Sequence, residues 1–247
     1  MQGLDTLARR TPNYGLRAKF GMMLPSSNSI AEPQIAAMLP EGVSLHVTRL
    51  QLRGGNGEEH LKMLERIEEA TSLLLDADVD RIMFHCTAVS MFSPEIPGEI
   101  RRRIGEMTQT PITITSEAVI EALRMLGATK IVLLSPYVQE TNDREVHFLR
   151  YNGIDVLRER GLGIDNGVGM AAVTPEQWYD EAIAMRDTNA DAYFLSCTTI
   201  RSADVIEPLE RELGRPVLTS NQVALWQALR DTDIEDHISG YGQLLSR

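Results

Sequence analysis

KFGMMLP (19–25) and KIVLLSP (130–136) are one pattern written twice: a lysine, a continuous apolar run and a closing proline. A short apolar run bounded by turn residues reads as a strand buried on both faces. Behind the first run comes SSNSIAEPQIAAML, in which Ser26, Ser27 and Asn28 are ready N-caps for a helix. Further out, SLHVTRLQL (44–52) alternates as a strand and RGGNG (53–57) is a loop by composition. The stretch 58–77 has helical periodicity, VDRIMFHC (79–86) is a third strand, and a helix starts near Pro97. PITITS (111–116) is a fourth strand, and 117–128 is a helix closed by Gly127.

The pattern restarts at Lys130. A helix ending at Gly153 follows the strand, then a strand within 154–163 and a glycine-rich loop to about Gly169. A helix over 174–188 has Thr174 as cap and Pro175 in its first turn. ADAYFLSC (190–197), a helix over 202–214, PVLTS (216–220) and a helix over 221–232 complete the chain. Alternating β and α units predict an α/β fold of two pseudo-symmetric parallel-sheet domains, with helices on both faces and the active site at the domain seam. The expected division is 1–115 with 222–247 for the first half and 116–221 for the second.

The two cysteines occupy matching places. Cys86 follows Lys19 by 67 positions and Cys197 follows Lys130 by 67, so an offset of 111 joins both lysines, both prolines (Pro25, Pro136) and both thiols. A lone cysteine ending an apolar run is usually only a buried space-filler. Recurrence at one strand end in each half points instead to a thiol on each face of a small planar substrate.

The chain has 247 residues, 43% hydrophobic and 24% charged, which suits a globular protein able to build its core without disulfides or metal. Its net charge of −11 argues against nucleic acid or an anionic membrane surface as partner. No apolar run reaches the roughly 18 residues of a membrane span. Two cysteines at strand ends do not form a disulfide framework, so a reducing cytoplasm is expected. Residues 1–17 read as a leader without chemistry. The five histidines lack metal-site spacing, so no metal is expected, and His85, adjacent to Cys86 on a strand, points to the opposite face as a structural residue.

Several residues near the strand ends could hold a carboxylate. Ser26, Ser27 and Asn28 offer hydroxyls, an amide and the free N–H groups of a helix start, although capping alone would also explain them. The backbone N–H groups near Thr87–Ala88 and Thr198–Thr199 could act as an oxyanion hole. Tyr137 stands opposite Ser26 under the offset and could donate its phenol. In the loop GLGIDNGVG (161–169), Asn166 is a candidate polar contact of a closing segment; this loop matches neither a P-loop nor GxGxxG.

The segments MLPSSNSIAEPQI, FHCTAVSMF, TKIVLLSPYVQETN and LSCTTIRSADVIEPLERELGRPVLTSNQVALWQAL resemble the aspartate/glutamate racemase superfamily, in the branch of maleate cis-trans isomerase and arylmalonate decarboxylase. The resemblance runs from Lys19 to about Arg230. It implies no metal and no organic cofactor, a homodimer or higher homo-oligomer, Cys86 as nucleophile and Cys197 as acid/base. It also implies Asn28, Tyr137 and Asn166 as carboxylate contacts. Two features depart from the isomerases: CTAVSMF is less apolar than their counterpart, with Thr87 closer to the amino-acid racemases, and Arg201 stands near the expected site mouth. The decarboxylases keep only the second-half cysteine, so Cys86 argues against decarboxylation alone. The expected activity is therefore cofactor-independent isomerisation of a short dicarboxylate, maleate to fumarate. A two-cysteine racemase, a substituted-malonate decarboxylase and a non-catalytic dicarboxylate binder are the rivals.

Overall fold

The computed structural model describes residues 13–52, 54 and 57–247. The leader thus lies outside the described residues as far as residue 12, as do three positions of the RGGNG loop. From Asn13 onward the leader is tied down: Asn13 Nδ2 donates to the Val43 carbonyl at 2.6 Å, and Arg17 pairs with Asp236 at 2.5 Å.

In the first half, β1 (Ala18–Pro25), α1 (Ala31–Met38), β2 (Val43–Leu50), α2 (Gly57–Leu64), α3 (Ile67–Leu75), β3 (Arg81–Phe84), α4 (Thr87–Ser90), α5 (Ile96–Gly105), β4 (Ile112–Ile114) and α6 (Thr115–Met125) follow in order. The second half runs β5 (Lys130–Ser135), α7 (Gln139–Tyr151), β6 (Asp155–Gly161), α8 (Gly167–Ala172), α9 (Pro175–Ala184), β7 (Ala192–Leu195), α10 (Ile206–Leu213), β8 (Val217–Thr219) and α11 (Ser220–Arg230). The two sheets have the same topology, β2-β1-β3-β4 and β6-β5-β7-β8, and every pairing is parallel. The repeated motif 19–25 and 130–136 supplies the strand next to the centre of each sheet, which explains its unbroken apolar character.

One shared core runs through both halves. Phe20, Met83, Leu133, Phe194, Leu218 and Trp226 belong to a single buried cluster. Separate clusters cover the outer faces, around Phe84 and Ile100 in the first half and around Trp178 and Ile206 in the second. Helices α6 and α11 pack against each other, and α11 also reaches α1, β3 and β4. Buried Arg81 of β3 fixes the far end of α11 by donating to Asp231 (3.2 Å to Oδ2, 3.0 Å to the carbonyl).

The expected helix over 58–77 is two helices. The Glu65 N–H donates to the Lys62 carbonyl at 3.1 Å, closing α2 in a tight turn, and Arg66 leaves helical geometry before α3 starts. The break lets α3 lie on β1 and β2 while α2 turns toward α4 and the strand ends. One straight helix could not cover both. The glycine-rich loop likewise contains a short helix, α8.

Candidate active site

The carboxyl ends of β1, β3, β5 and β7 converge, as parallel sheets require of a ligand site. Residues following all four strands line one cavity: Ser27, Cys86, Tyr137 and Cys197, with Thr198 and Thr199 beside the last. It encloses ≈ 40 Å³, room for about three waters at roughly 10–15 Å³ each. Both thiols are free and buried, Cys86 with 4% and Cys197 with 3% of its surface exposed.

Cys86 ends its strand in extended geometry and begins α4, and the backbone N–H groups of Val89 and Ala88 point back at its sulfur. Those donors favour the thiolate, but burial is the larger influence and pushes the thiol up to about 12. Cys197 is likewise pushed up by burial, to about 11, against the pull of the Tyr137 hydroxyl and the Thr199 N–H, which donates to the sulfur at 3.2 Å. In the resting site both are therefore neutral thiols, each with donors in place to receive a negative charge.

Cys197 carries a strained backbone. Its φ of 115° lies in the left-handed region that favours glycine. The Ser220 hydroxyl, accepting the Cys197 N–H at 3.1 Å, and the Thr199 contact hold it there. Such strain costs of order 1–3 kcal/mol and concentrates at functional positions. Glycine relieves it and alanine does not, so Cys197→Gly should melt about 2–4 °C above Cys197→Ala by scanning calorimetry.

Tyr137 is fixed by a close backbone approach. The Gly163 N–H donates to its carbonyl at 2.9 Å, and a Cβ on Gly161 would stand 2.5 Å from the same oxygen, so only glycine fits there. Burial, with Cys197 and Glu145 next in weight, holds its phenol well above the usual range, so it is a hydrogen-bond donor at neutral pH.

The other candidates divide. Ser27, Ala88 and Thr198 line the cavity with the thiols. Ser26 does not: its hydroxyl exchanges hydrogen bonds with the Leu52 backbone (3.3 and 3.1 Å) and pins the segment after β2. Asn28 is buried and does not line the cavity. Its Oδ1 accepts the Ile30 and Ala31 N–H groups at 2.9 Å each, starting α1, and its Nδ2 donates across the seam to Thr198 Oγ1 at 2.9 Å. Thr87 turns from the cavity to donate to Ser220 Oγ at 2.8 Å. Asn166, expected as a polar contact, does not line the cavity here: it is exposed, and its Oδ1 caps α8 by accepting the Gly169 N–H at 2.8 Å. Its neighbours Asp165 and Gly167 reach the cavity instead. Arg201 is exposed and does not line it.

A buried polar chain joins the halves behind the thiols. His85 Nε2 donates to Asn221 Oδ1 at 2.8 Å, and the Asn221 amide donates to Gln34 Oε1 (2.8 Å) and the Thr198 carbonyl (3.3 Å). With Nε2 protonated, Nδ1 accepts from the Thr115 hydroxyl at 2.9 Å. Burial lowers the imidazole to about 4, so it stays neutral and structural, on the face opposite Cys86.

Two residues were not anticipated. His60 of α2 lines the cavity. Glu145 of α7 is 0% exposed and accepts from Ser196 Oγ at 2.9 Å, while its other oxygen has no partner. Burial pushes Glu145 up to about 8, and its charge would disfavour both thiolates. Among the described residues no cluster of His, Cys, Asp and Glu is placed to hold a metal ion, and no helix is long and apolar enough to cross a membrane.

A sequence profile described as arylmalonate decarboxylase matches residues 20–245. The maleate isomerase of Geobacillus stearothermophilus is 27% identical over 243 residues, covering 92% of this chain and 97% of that protein. The crystal structure of the maleate isomerase Iso from Pseudomonas putida S16, a cysteine-to-alanine variant with maleate, is 26% identical with a TM-score of 0.87, over 93% of this chain and 97% of that one. A Nocardia farcinica maleate cis-trans isomerase, a cysteine-to-serine mutant with a covalently bound succinylcysteine intermediate, shares the fold at 22% identity and a TM-score of 0.86, over 93% and 98% of the two chains. The chain belongs to the arylmalonate decarboxylase family, in the branch that holds the maleate isomerases.

Proposed function

We propose that this protein is an isomerase that converts maleate to fumarate through covalent addition of Cys86. The carrying observation is that one buried thiol from each half lines a single small cavity. Cys86, a neutral thiol at rest, first gives its proton to solvent, and its thiolate adds to one alkene carbon as Cys197 gives its S–H proton to the other. The carbon–carbon bond, now single, rotates. The Cys197 thiolate then takes a proton from the carbon it had protonated, the double bond re-forms, and the Cys86 sulfur leaves as thiolate. Charge and atoms balance, and no redox partner is needed. The adduct is a succinylcysteine, the species named for the Nocardia relative. Addition removes the double bond that blocks rotation, which binding alone cannot do.

Ser27, Tyr137, Thr198 and Thr199 supply hydrogen-bond donors for a carboxylate in the acidic protein. Asn28 acts one step back, holding Thr198. Two free reactive thiols suit a reducing compartment such as the cytoplasm.

The test is proton NMR of a panel of dicarboxylates and amino acids in deuterated water. Maleate is expected to give fumarate without carbon dioxide release. Deuterium entering the α-position of an amino acid with no alkene turnover would replace this reading with a racemase. Decarboxylation of a substituted malonate that survives Cys86→Ala would replace it with a decarboxylase. Tight ligand binding without turnover, untouched by thiol alkylation, would leave a binding protein.

A further inference from the structure

His60 is the histidine of this molecule that faces the cavity. It is 3% exposed, on the inner face of α2 with Met63 and Leu64, and it lines the cavity that holds both thiols. Its Nδ1 is buried with no hydrogen-bond partner. A buried imidazole that only fills space is normally satisfied, as His85 is at both nitrogens. His60 thus lines the cavity with an imidazole whose hydrogen-bonding capacity the protein leaves unused.

The surroundings fit a carboxylate. The Arg144 guanidinium of α7 lies against the first turn of α2, so close that a Cβ on Gly57 would stand 2.5 Å from Nη1, and Nη1 is also buried without a partner. Arg144 is held in place by Phe92, whose ring centroid is 4.0 Å away, and by Glu140 at 2.6 Å. It brings positive charge to this side of the site while His60 supplies the hydrogen bond. Burial and Arg144 keep the imidazole neutral, at about 4, so one ring nitrogen carries a proton and the other is free. Among the other polar side chains of the cavity, the Tyr137 hydroxyl faces Cys197, and Thr198 Oγ1 accepts from Asn28, so its proton, with those of Ser27 and Thr199, is left for the substrate's other carboxylate.

We propose that His60 binds one carboxylate of the substrate through a ring N–H, and so makes the site select dianionic diacids over their monoanionic analogues. The assignment rests on the dicarboxylate reading of the site, and it concerns specificity, not the chemical steps.

The test uses succinate, which has no double bond to isomerise, and succinamate, its monoamide of nearly the same shape. Both are titrated calorimetrically into wild-type protein, His60→Leu and His60→Asn. Wild type is expected to bind succinate at least about tenfold more tightly than succinamate. His60→Leu should lose about tenfold or more in affinity for succinate, with little change for succinamate. His60→Asn, whose amide can supply an N–H in place of the ring's, should recover most of the loss. Melting curves report folding, and His60→Phe serves as a second donor-free variant if His60→Leu does not fold. Succinate affinity within twofold of wild type in the donor-free variant, equal loss for both ligands, or failure of both donor-free variants to fold would overturn the assignment. Fumarate formation by wild type is read separately, so the isomerase reading and the role of His60 fail by different results.

Discussion

A Cys86→Ala protein is expected to form no detectable fumarate from maleate, and a Cys197→Ala protein to form it about 10²–10⁴-fold more slowly than wild type. The difference follows from the two jobs. Without Cys86 no covalent bond forms and the alkene keeps its double bond, because the remaining cavity thiol, Cys197, stands as the proton donor and cannot also be the nucleophile. Without Cys197 the adduct carbanion loses its positioned proton donor, and unpositioned solvent must serve. The Tyr137 hydroxyl, directed at Cys197, cannot replace it, because burial holds that phenol well above the usual range. Proton NMR at neutral pH measures both rates. Fumarate at the wild-type rate from either variant would sink the assignment. Burial also sets the sign of the pH response. The thiols sit at about 12 and about 11, so the thiolate population, and with it the rate, should climb as pH rises through the neutral range.

The repeat made much of this site legible in the sequence. A common offset placed Cys86 and Cys197 at equivalent strand ends, and parallel topology then forced those ends together. Ser27, Ala88, Tyr137 and Thr198 came with them, because each lies within two residues of a strand end or a cysteine. Side-chain direction was not legible. Ser26, Asn28, Thr87 and Asn166 lie in the right segments, yet each turns its polar atoms to a backbone group or across the seam. Their partners, Leu52, Thr198, Ser220 and Gly169, are set by tertiary packing or by a short helix that composition hid in a glycine-rich run.

His60 and Glu145 had a faint signal. His60 stands in the i, i+3, i+4, i+7 stripe with Met63, Leu64 and Ile67, and Glu145 in the face of Thr141, Phe148 and Leu149, all buried. A polar residue in a buried stripe asks for a partner. The sequence does not show that the partner is missing, because that depends on what packs opposite.

Glu145→Gln is expected to gain stability over wild type as pH rises from about 4.5 to about 8, and to change the rate only at alkaline pH. Its carboxyl sits at about 8 in the fold against an ordinary 4.5, because it is buried. Below the ordinary value it is protonated in both folded and unfolded chains. Between the two values the folded protein keeps a proton that the unfolded chain has released. Stability must therefore fall as pH rises through this window, and level off above it. Glutamine does not titrate and can still accept from the Ser196 hydroxyl. The variant should match wild type in melting temperature near pH 5 and exceed it by several degrees near pH 8.5. The rate follows the same charge. At pH 6.5 Glu145 is neutral and the variant should run within about twofold of wild type. At pH 9 the wild-type carboxylate opposes both thiolates, and removing it should raise the rate about threefold to tenfold. Parallel melting curves at both pH values would mean that Glu145 ionises normally. A variant slow at both would mean that the carboxyl carries a proton in the reaction and does more than set the charge. A neutral Glu145 is what lets a buried, acidic protein place one negative sulfur in this cavity at physiological pH, and that is the link between its protonation and the chemistry of Cys86.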